Sequence, residues 1–112
     1  MKFTYNREAY CINNYYVCVK GHIMGILLAN VLLEFEKGRQ EWVSKTAVFE
    51  TSDEAIGAKI AEIKDSISIC NGILSDPSET KERKDRVKID LEFNLDAIDF
   101  LTSQLESEQE GF

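Results

Sequence analysis

The side chains best suited to chemistry in this sequence are one histidine, His22, and three cysteines, Cys11, Cys18 and Cys70. A nucleophilic thiolate needs a neighbouring base, and zinc needs four ligands that usually come in closely spaced pairs. Cys11, Cys18 and His22 do not have such a spacing. The sequence also contains no C-x-x-C, H-E-x-x-H or G-x-S-x-G motif and no phosphate-binding glycine loop. We therefore predict no catalytic residue, no metal and no cofactor, and expect the thiols to be buried as small apolar side chains.

The cysteine count and the apolar runs indicate the cellular compartment of the protein. Three cysteines are an odd number at no familiar disulfide spacing, which is typical of a reducing compartment. The longest apolar run, residues 23–33, has 11 residues, whereas a membrane-spanning helix needs about 20. Residues 3–14 are too polar for the apolar part of a secretory signal. We expect a cytoplasmic protein that does not contact a membrane.

The charges are unevenly distributed along the chain. The net charge is −7, yet residues 1–89 contain 13 basic and 13 acidic residues, and the seven acidic residues from Asp90 onward have no basic neighbour after Lys88. Phosphates would be repelled by this end, so we predict no direct binding to nucleic acid and favour a basic protein as partner. The basic residues between positions 81 and 88 are interrupted by Glu82 and Asp85, and a solvated loop explains them better than a nucleic-acid site does.

Acidic and aromatic residues are the candidates for binding a partner. Asp96 and Asp99 lie three positions apart, a spacing that fits either a binding surface for a basic protein or an ordinary solvated helix face. Trp42, Tyr15 and Tyr16 are candidate anchors, because Trp and Tyr are frequent at interfaces, although packing in the core or at a sheet edge would explain Trp42 as well. The predicted partner interface comprises Asp90, Glu92, Asp96, Asp99, Glu106, Tyr15, Tyr16 and Trp42.

The first half of the chain is predicted to form three strands. The strands are expected at residues 15–20, 26–36 and 41–50, with a turn at 21–25 and a hairpin loop at 37–40. On the first strand the side chains of the two tyrosines would point to opposite faces. A short buried helix is the alternative for residues 26–36, because a continuous apolar run shows no periodicity that would distinguish a strand from a helix.

A helix is predicted to begin after Thr51. Thr51 and Glu54 form the T-x-x-E capping pattern, and Asp53 adds negative charge at the amino end of the helix. Apolar residues then recur at positions 56, 60, 63, 67, 70 and 74, which is the stripe of an amphipathic helix. We expect this helix to pack on a sheet and to end near Asn71 and Gly72.

The last third of the chain contains an alternating pattern. Apolar residues at positions 87, 89, 91, 93 and 95 alternate with polar ones, which predicts a strand. Asn94 would then cap a final helix, and residues 107–112 would form a frayed tail. The prediction for the whole chain is one α+β domain, residues 1–112, with three N-terminal strands and one C-terminal strand in a mainly antiparallel sheet and two packed helices.

The stretch WVSKTAVFETSDEAIGAKIAEI, residues 42–63, resembles part of some immunity proteins of bacterial contact-dependent growth inhibition systems. In those proteins a strand leads into a helix start of the form S-D-E-x-[LI]-G, which matches Ser52, Asp53, Glu54, Ile56 and Gly57 here. The resemblance covers about a fifth of the chain. It implies a cytoplasmic bacterial protein that binds and blocks the toxic C-terminal domain of a cognate effector, often a nuclease. Such proteins act by occlusion and their contacts vary between pairs, so it assigns no catalytic or contact residue.

Three hypotheses on function follow from these observations. The favoured one is an immunity protein, or antitoxin, that is not an enzyme and forms a heterodimer with a basic toxin domain. The alternative is a phage-encoded inhibitor of host defence, similar to an anti-CRISPR protein. It would bind a different partner through the same kinds of contact. The third is an enzyme or small-ligand module, which a deep pocket containing His22 and a cysteine would support.

Overall fold

The protein is an α+β protein with a four-stranded antiparallel sheet followed by two helices. The computed structural model describes the backbone of residues 1–110 and the side chains of residues 1–105. The predicted tail, residues 107–112, reaches outside this description. The strands are β1 (Glu8–Ile12), β2 (Cys18–Ile26), β3 (Asn30–Glu34) and β4 (Gln40–Ser44), and the helices are α1 (Ser52–Ser75) and α2 (Lys81–Glu110). The chain forms two compact units, Met1–Gly57 and Ala58–Phe112.

The sheet unit is built from consecutive hairpins in the order β1-β2-β3-β4. Ile23 pairs with Leu33, and Val31 pairs with Val43, so aliphatic side chains share one face. The outer edge of β1, which faces away from β2, is also hydrogen-bonded: Tyr10 and Phe49 exchange two backbone hydrogen bonds of 2.8 and 2.9 Å. The core of this unit consists of Ala9, Cys11, Ile23, Val31, Leu33, Phe35 and Val48.

The strand predicted at residues 15–20 is wrong in its first half. Tyr15 and Tyr16 lie in the turn between β1 and β2, and Tyr16 has a φ of 61°. The carboxamide oxygen of Asn13 accepts hydrogen bonds from the backbone N–H groups of Tyr15 and Val17, at 2.9 and 3.0 Å. This side-chain turn replaces strand pairing, so the two tyrosines do not point to opposite faces of a strand.

The turn predicted at residues 21–25 is also wrong, because these residues belong to β2. Gly21 and Gly25 are needed for close packing: a Cβ on Gly25 would lie 3.1 Å from Cβ of Leu32 and 3.2 Å from Cη2 of Trp42. The turn falls instead at residues 27–29, inside the run that was predicted to be one strand. The predicted hairpin loop at 37–40 is confirmed, except that Gln40 already belongs to β4. The strand predicted at 41–50 is wrong in its second half, because β4 ends at Ser44 and a 3₁₀ turn follows at Lys45–Ala47.

The start of α1 is confirmed by its hydrogen bonds. The backbone N–H of Glu54 donates to Oγ1 of Thr51 at 3.2 Å, as an N-cap requires. The predicted stripe at positions 56–74 is the buried or half-buried side of the helix. The helix passes Asn71 and Gly72 and ends at Ser75, so the predicted end is wrong. From Ala58 onward α1 belongs to the same compact unit as α2, and residues of both helices line one groove. The packing of this helix on a sheet stays a prediction.

Residues 87–95 are helical, so the predicted C-terminal strand is wrong. The four strands of the described part of the chain lie within the first 44 residues. Thr80 is the N-cap of α2, since its Oγ1 accepts from the backbone N–H of Arg83 at 3.2 Å. Asn94 lies inside the helix and does not cap one. The buried or half-buried residues of α2 include Val87, Leu91, Asn94, Ile98 and Leu101, which are spaced by four and three positions, and Ala97 is buried beside them.

Candidate partner-binding surface on the second helix

The second helix has two apolar rows. One is the buried row that includes Val87 and Leu101, which are 7% and 0% exposed. The other comprises Ile89, Phe93 and Phe100, which are 67%, 57% and 48% exposed; we call it the outer row. At about 100° per residue these three side chains fall within about 40° of one another, roughly 140° from the centre of the buried row. Large apolar side chains clustered at a surface mark interaction sites more often than isolated ones do.

An acidic row runs beside the outer row. Glu92, Asp96 and Asp99 are all exposed and are spaced by four and three positions, so they share one side of α2. Among the side chains that the structure describes, none forms an ion pair with these three carboxylates. Their mutual repulsion makes this flank a favourable place for a cationic group of a partner.

The other predicted acidic residues lie elsewhere on α2. Asp90 is on the opposite flank, where it lines a groove between α1 and α2. The backbone of Glu106 belongs to α2, and its side chain lies outside the described part of the chain. The structure therefore brings together Glu92, Asp96 and Asp99 but not Asp90.

The groove between the two helices extends the apolar surface. Its volume is about 350 Å³. Ile69 of α1 contributes to its wall and is 66% exposed, and Phe93 belongs both to the groove and to the outer row. The lining residues are Ser66, Ile69, Cys70, Ile73, Val87, Asp90, Phe93 and Asn94. The groove is large enough to accept one bulky apolar side chain beside the outer row.

The aromatic candidates of the sheet unit do not form one cluster. Tyr15 is 83% exposed in the turn before β2, and Trp42 is 52% exposed on the edge strand β4. The ring of Trp42 lies against Gly25, which is seven residues, or about 23 Å of strand, beyond Cys18 at the start of β2. Packing at a sheet edge, which the sequence offered as an alternative, therefore accounts for Trp42.

The sheet unit contains a groove of about 900 Å³ that includes both His22 and Cys18. These two residues are four positions apart on β2, which corresponds to about 13 Å, so they are too far apart to form a nucleophile and base pair. Nε2 of His22 is instead 3.8 Å from Oε1 of Glu8. The groove also contains basic and acidic residues of the loop between β3 and β4, among them Glu36, Lys37 and Arg39. This groove is not predicted by the sequence, and Gly38, one of its lining residues, has the positive φ of 75° that a tight loop turn requires.

The cysteines are placed as apolar side chains. Cys11 and Cys70 are buried and Cys18 is half-buried. Burial, reinforced by the negative charge of Glu41, raises the pKa of the Cys11 thiol to about 11, so this thiol is protonated at neutral pH. Within the described residues, no three His, Cys, Asp or Glu side chains are grouped so that they could hold a metal ion. Over the same residues, neither helix is apolar for long enough to cross a lipid bilayer.

Comparison with known proteins adds no relative: no family model matches the chain, and no curated protein or solved structure is significantly similar to it.

Proposed function

We propose that this protein is an immunity protein, which binds and neutralises the toxic C-terminal domain of a cognate contact-dependent growth inhibition effector in the bacterial cytoplasm. The observation that carries the proposal is the acidic row beside the outer row on α2. A toxin that acts on nucleic acid must attract phosphates, so the surface around its active site is basic. An acidic and apolar surface is complementary to such a site and can cover it.

The two rows of α2 would make different contributions to binding. Exposed aromatic and aliphatic side chains supply most of the affinity when they are buried at the centre of an interface. Carboxylates at the rim mainly accelerate association with a basic partner, toward roughly 10⁸ M⁻¹s⁻¹ at low salt. Inhibition would follow from occlusion alone, so the mechanism requires no catalytic group in this protein.

Affinity capture tests the function directly. The tagged protein is expressed in its own host, washed at moderate salt, and its retained partners are identified by mass spectrometry. We expect one stoichiometric, basic toxin domain whose retention falls as salt rises, and protection of cells that express this toxin. Capture of a CRISPR or another defence complex would replace the proposal by the phage-inhibitor alternative. The absence of any retained protein would refute both.

Charge neutralisation tests the site within that function. Asp96→Asn together with Asp99→Asn should slow association with the captured toxin domain by about tenfold at low salt and flatten its salt dependence. The matched control is Glu36→Gln with Glu41→Gln, which removes the same charge from two exposed carboxylates of the sheet unit. Equal kinetics for the two double variants would show that the toxin binds another surface.

The groove that contains His22 and Cys18 supports a second candidate function, binding of a small ligand by the sheet unit. Its volume of about 900 Å³ and its mixed charges suit a polar molecule. Thermal unfolding in the presence of a panel of metabolites and metal ions tests this candidate. A ligand that raises Tm in the native protein but not in a Lys20→Ala, His22→Ala double variant would support it, and no shift with any compound would exclude ligands of the classes tested.

A further inference from the structure

We propose that the partner presents a basic amphipathic helix, which lies along the outer row of α2. The proposal deepens the function proposed above and rests on it for the identity of the partner. It is argued from the spacing of the outer row, from the neighbouring groove and from the charge of the flank.

The outer row has the spacing of a helix-packing seam. Ile89, Phe93 and Phe100 follow one another at intervals of four and seven residues, which places them at a and d positions of a heptad. The d position between Phe93 and Phe100 is Asp96 of the acidic row. Such a seam repeats every 3.5 residues and matches the side chains of another helix better than those of a strand. From Ile89 to Phe100 it is about 16 Å long, or three helical turns.

The groove beside Phe93 fits the same kind of partner. A helix along the outer row would place some of its apolar side chains toward α1, where Ile69 is 66% exposed and the groove of about 350 Å³ opens. One large side chain of the partner can enter this groove while its neighbours contact Ile89 and Phe100. Packing of knobs into holes of this type supplies the affinity in complexes where a helix binds a groove.

The flank of the seam decides between a foreign helix and a second copy of this chain. In an antiparallel pair of α2 helices the same flank of both copies would meet, and this flank carries Asp85, Glu92 and Asp99, one acid in every heptad. In a parallel pair it would face the flank that carries Arg83 and Asp90, where Asp85 of one copy would meet Asp90 of the other. Both arrangements bring like charges together, which is unfavourable. A helix with Lys or Arg on its flanks removes this repulsion and forms ion pairs instead.

A synthetic helix tests the docking site without the natural partner. The probe is a fluorescently labelled peptide of three heptads with Leu at positions a and d, Lys at e and g, and Ala and Gln elsewhere. Its control has Glu in place of Lys. With the intact protein at low salt, we expect the Lys peptide to bind and to gain helical circular dichroism, and its affinity to fall as salt rises. Equal binding of the Lys and Glu peptides would overturn the charge argument.

Substitutions of exposed apolar residues test where on the protein the helix binds. Phe100→Ser and Ile89→Ser should each weaken binding of the Lys peptide by about tenfold or more, with unchanged circular dichroism of the free protein. Leu28→Ser, at a side chain that is 96% exposed in the sheet unit, is the matched control and should leave binding unchanged. If all three variants bind the peptide as the native protein does, the outer row is not the docking site.

The same variants separate this inference from the proposed function. If Phe100→Ser and Ile89→Ser retain the captured toxin domain as well as the native protein does, the docking inference is refuted and the immunity function stands. If the Lys peptide binds the outer row but affinity capture retains no toxin domain, the immunity function is refuted and the docking site stands.

Discussion

Comparing the variants Ile63→Ala and Ile89→Ala tests whether residues 87–95 form a helix with one buried side. In the helix Ile89 belongs to the outer row and is 67% exposed, whereas Ile63 on α1 is 5% exposed. In the alternating strand that the sequence suggests, Ile89 would belong to the buried face. The same substitution at the two positions therefore gives different results for the two structures.

The expected magnitudes follow from the exposed fractions. Ile63→Ala removes three buried carbon atoms, worth about 2.4 kcal/mol of transfer free energy at about 0.8 kcal/mol for each, and leaves a cavity, so the loss of unfolding free energy should be about 3 to 4 kcal/mol. Ile89→Ala loses about a third of that transfer term. Alanine is the better helix former by a few tenths of a kcal/mol, so the net change should be about 0.5 kcal/mol or less.

Urea unfolding followed by circular dichroism at 222 nm measures both changes, because most of the helix belongs to the unit that contains both residues. With a slope of about 1.5 kcal/mol per molar urea, Ile63→Ala should lower the midpoint by about 2 M and Ile89→Ala by about 0.3 M or less. A loss at Ile89 as large as that at Ile63 would mean that Ile89 is buried, and would refute the outer row together with the proposals built on it.

Three further predictions concern the remaining elements. Thr51→Ala should destabilise the protein by about 1 kcal/mol and Thr51→Ser should restore most of this in thermal unfolding, because only the alanine variant loses the cap acceptor; an unchanged alanine variant would show that the cap contributes nothing. Gly25→Ala should cost about 1 to 3 kcal/mol and alter the fluorescence of Trp42, the one tryptophan, because the added Cβ meets its ring; an unaltered emission spectrum would contradict that contact. Since the pKa of Cys11 is raised from 9.0 to about 11, the unfolded chain ionises first and stability should fall between pH 9 and 11. This fall should be smaller in Cys11→Ala, and identical pH profiles would refute the burial of the thiol.

The α1 helix shows how much of the fold could be predicted from the sequence. Thr51 and Glu54 cap the helix through atoms three residues apart, and the row from Ile56 to Leu74 has one period, so local and periodic signals agree. What the row packs against could not be predicted, because an apolar stripe fits a sheet as well as a helix. The predicted end of the helix near Asn71 and Gly72 is also wrong. A helix can continue through such residues when its neighbouring residues favour and stabilise the helical conformation, and α1 ends at Ser75.

The candidate site was predicted in part. The acidic character of the C-terminal region, and the shared face of Asp96 and Asp99, follow from residue types and spacing alone. The outer row was not predicted, because Ile89 and Phe93 were assigned to the buried face of a strand. The structure does not bring Tyr15 and Tyr16 together with Trp42, because the turn at Asn13 places the two tyrosines at the end of β2 away from Gly25, against which the ring of Trp42 lies.

The sequence by itself determined the α+β class, the start of α1, its buried stripe and the acidic end of the chain, because each of these depends on neighbouring residues or on one unambiguous period. Only the tertiary structure decided the rest. Residues 87–95 satisfy a period of two and a period of 3.5 at once, and the choice between them depends on the helix-forming residues on either side and on packing against α1. In residues 26–36 the position of the turn depends on strand pairing, which joins residues that no local pattern connects.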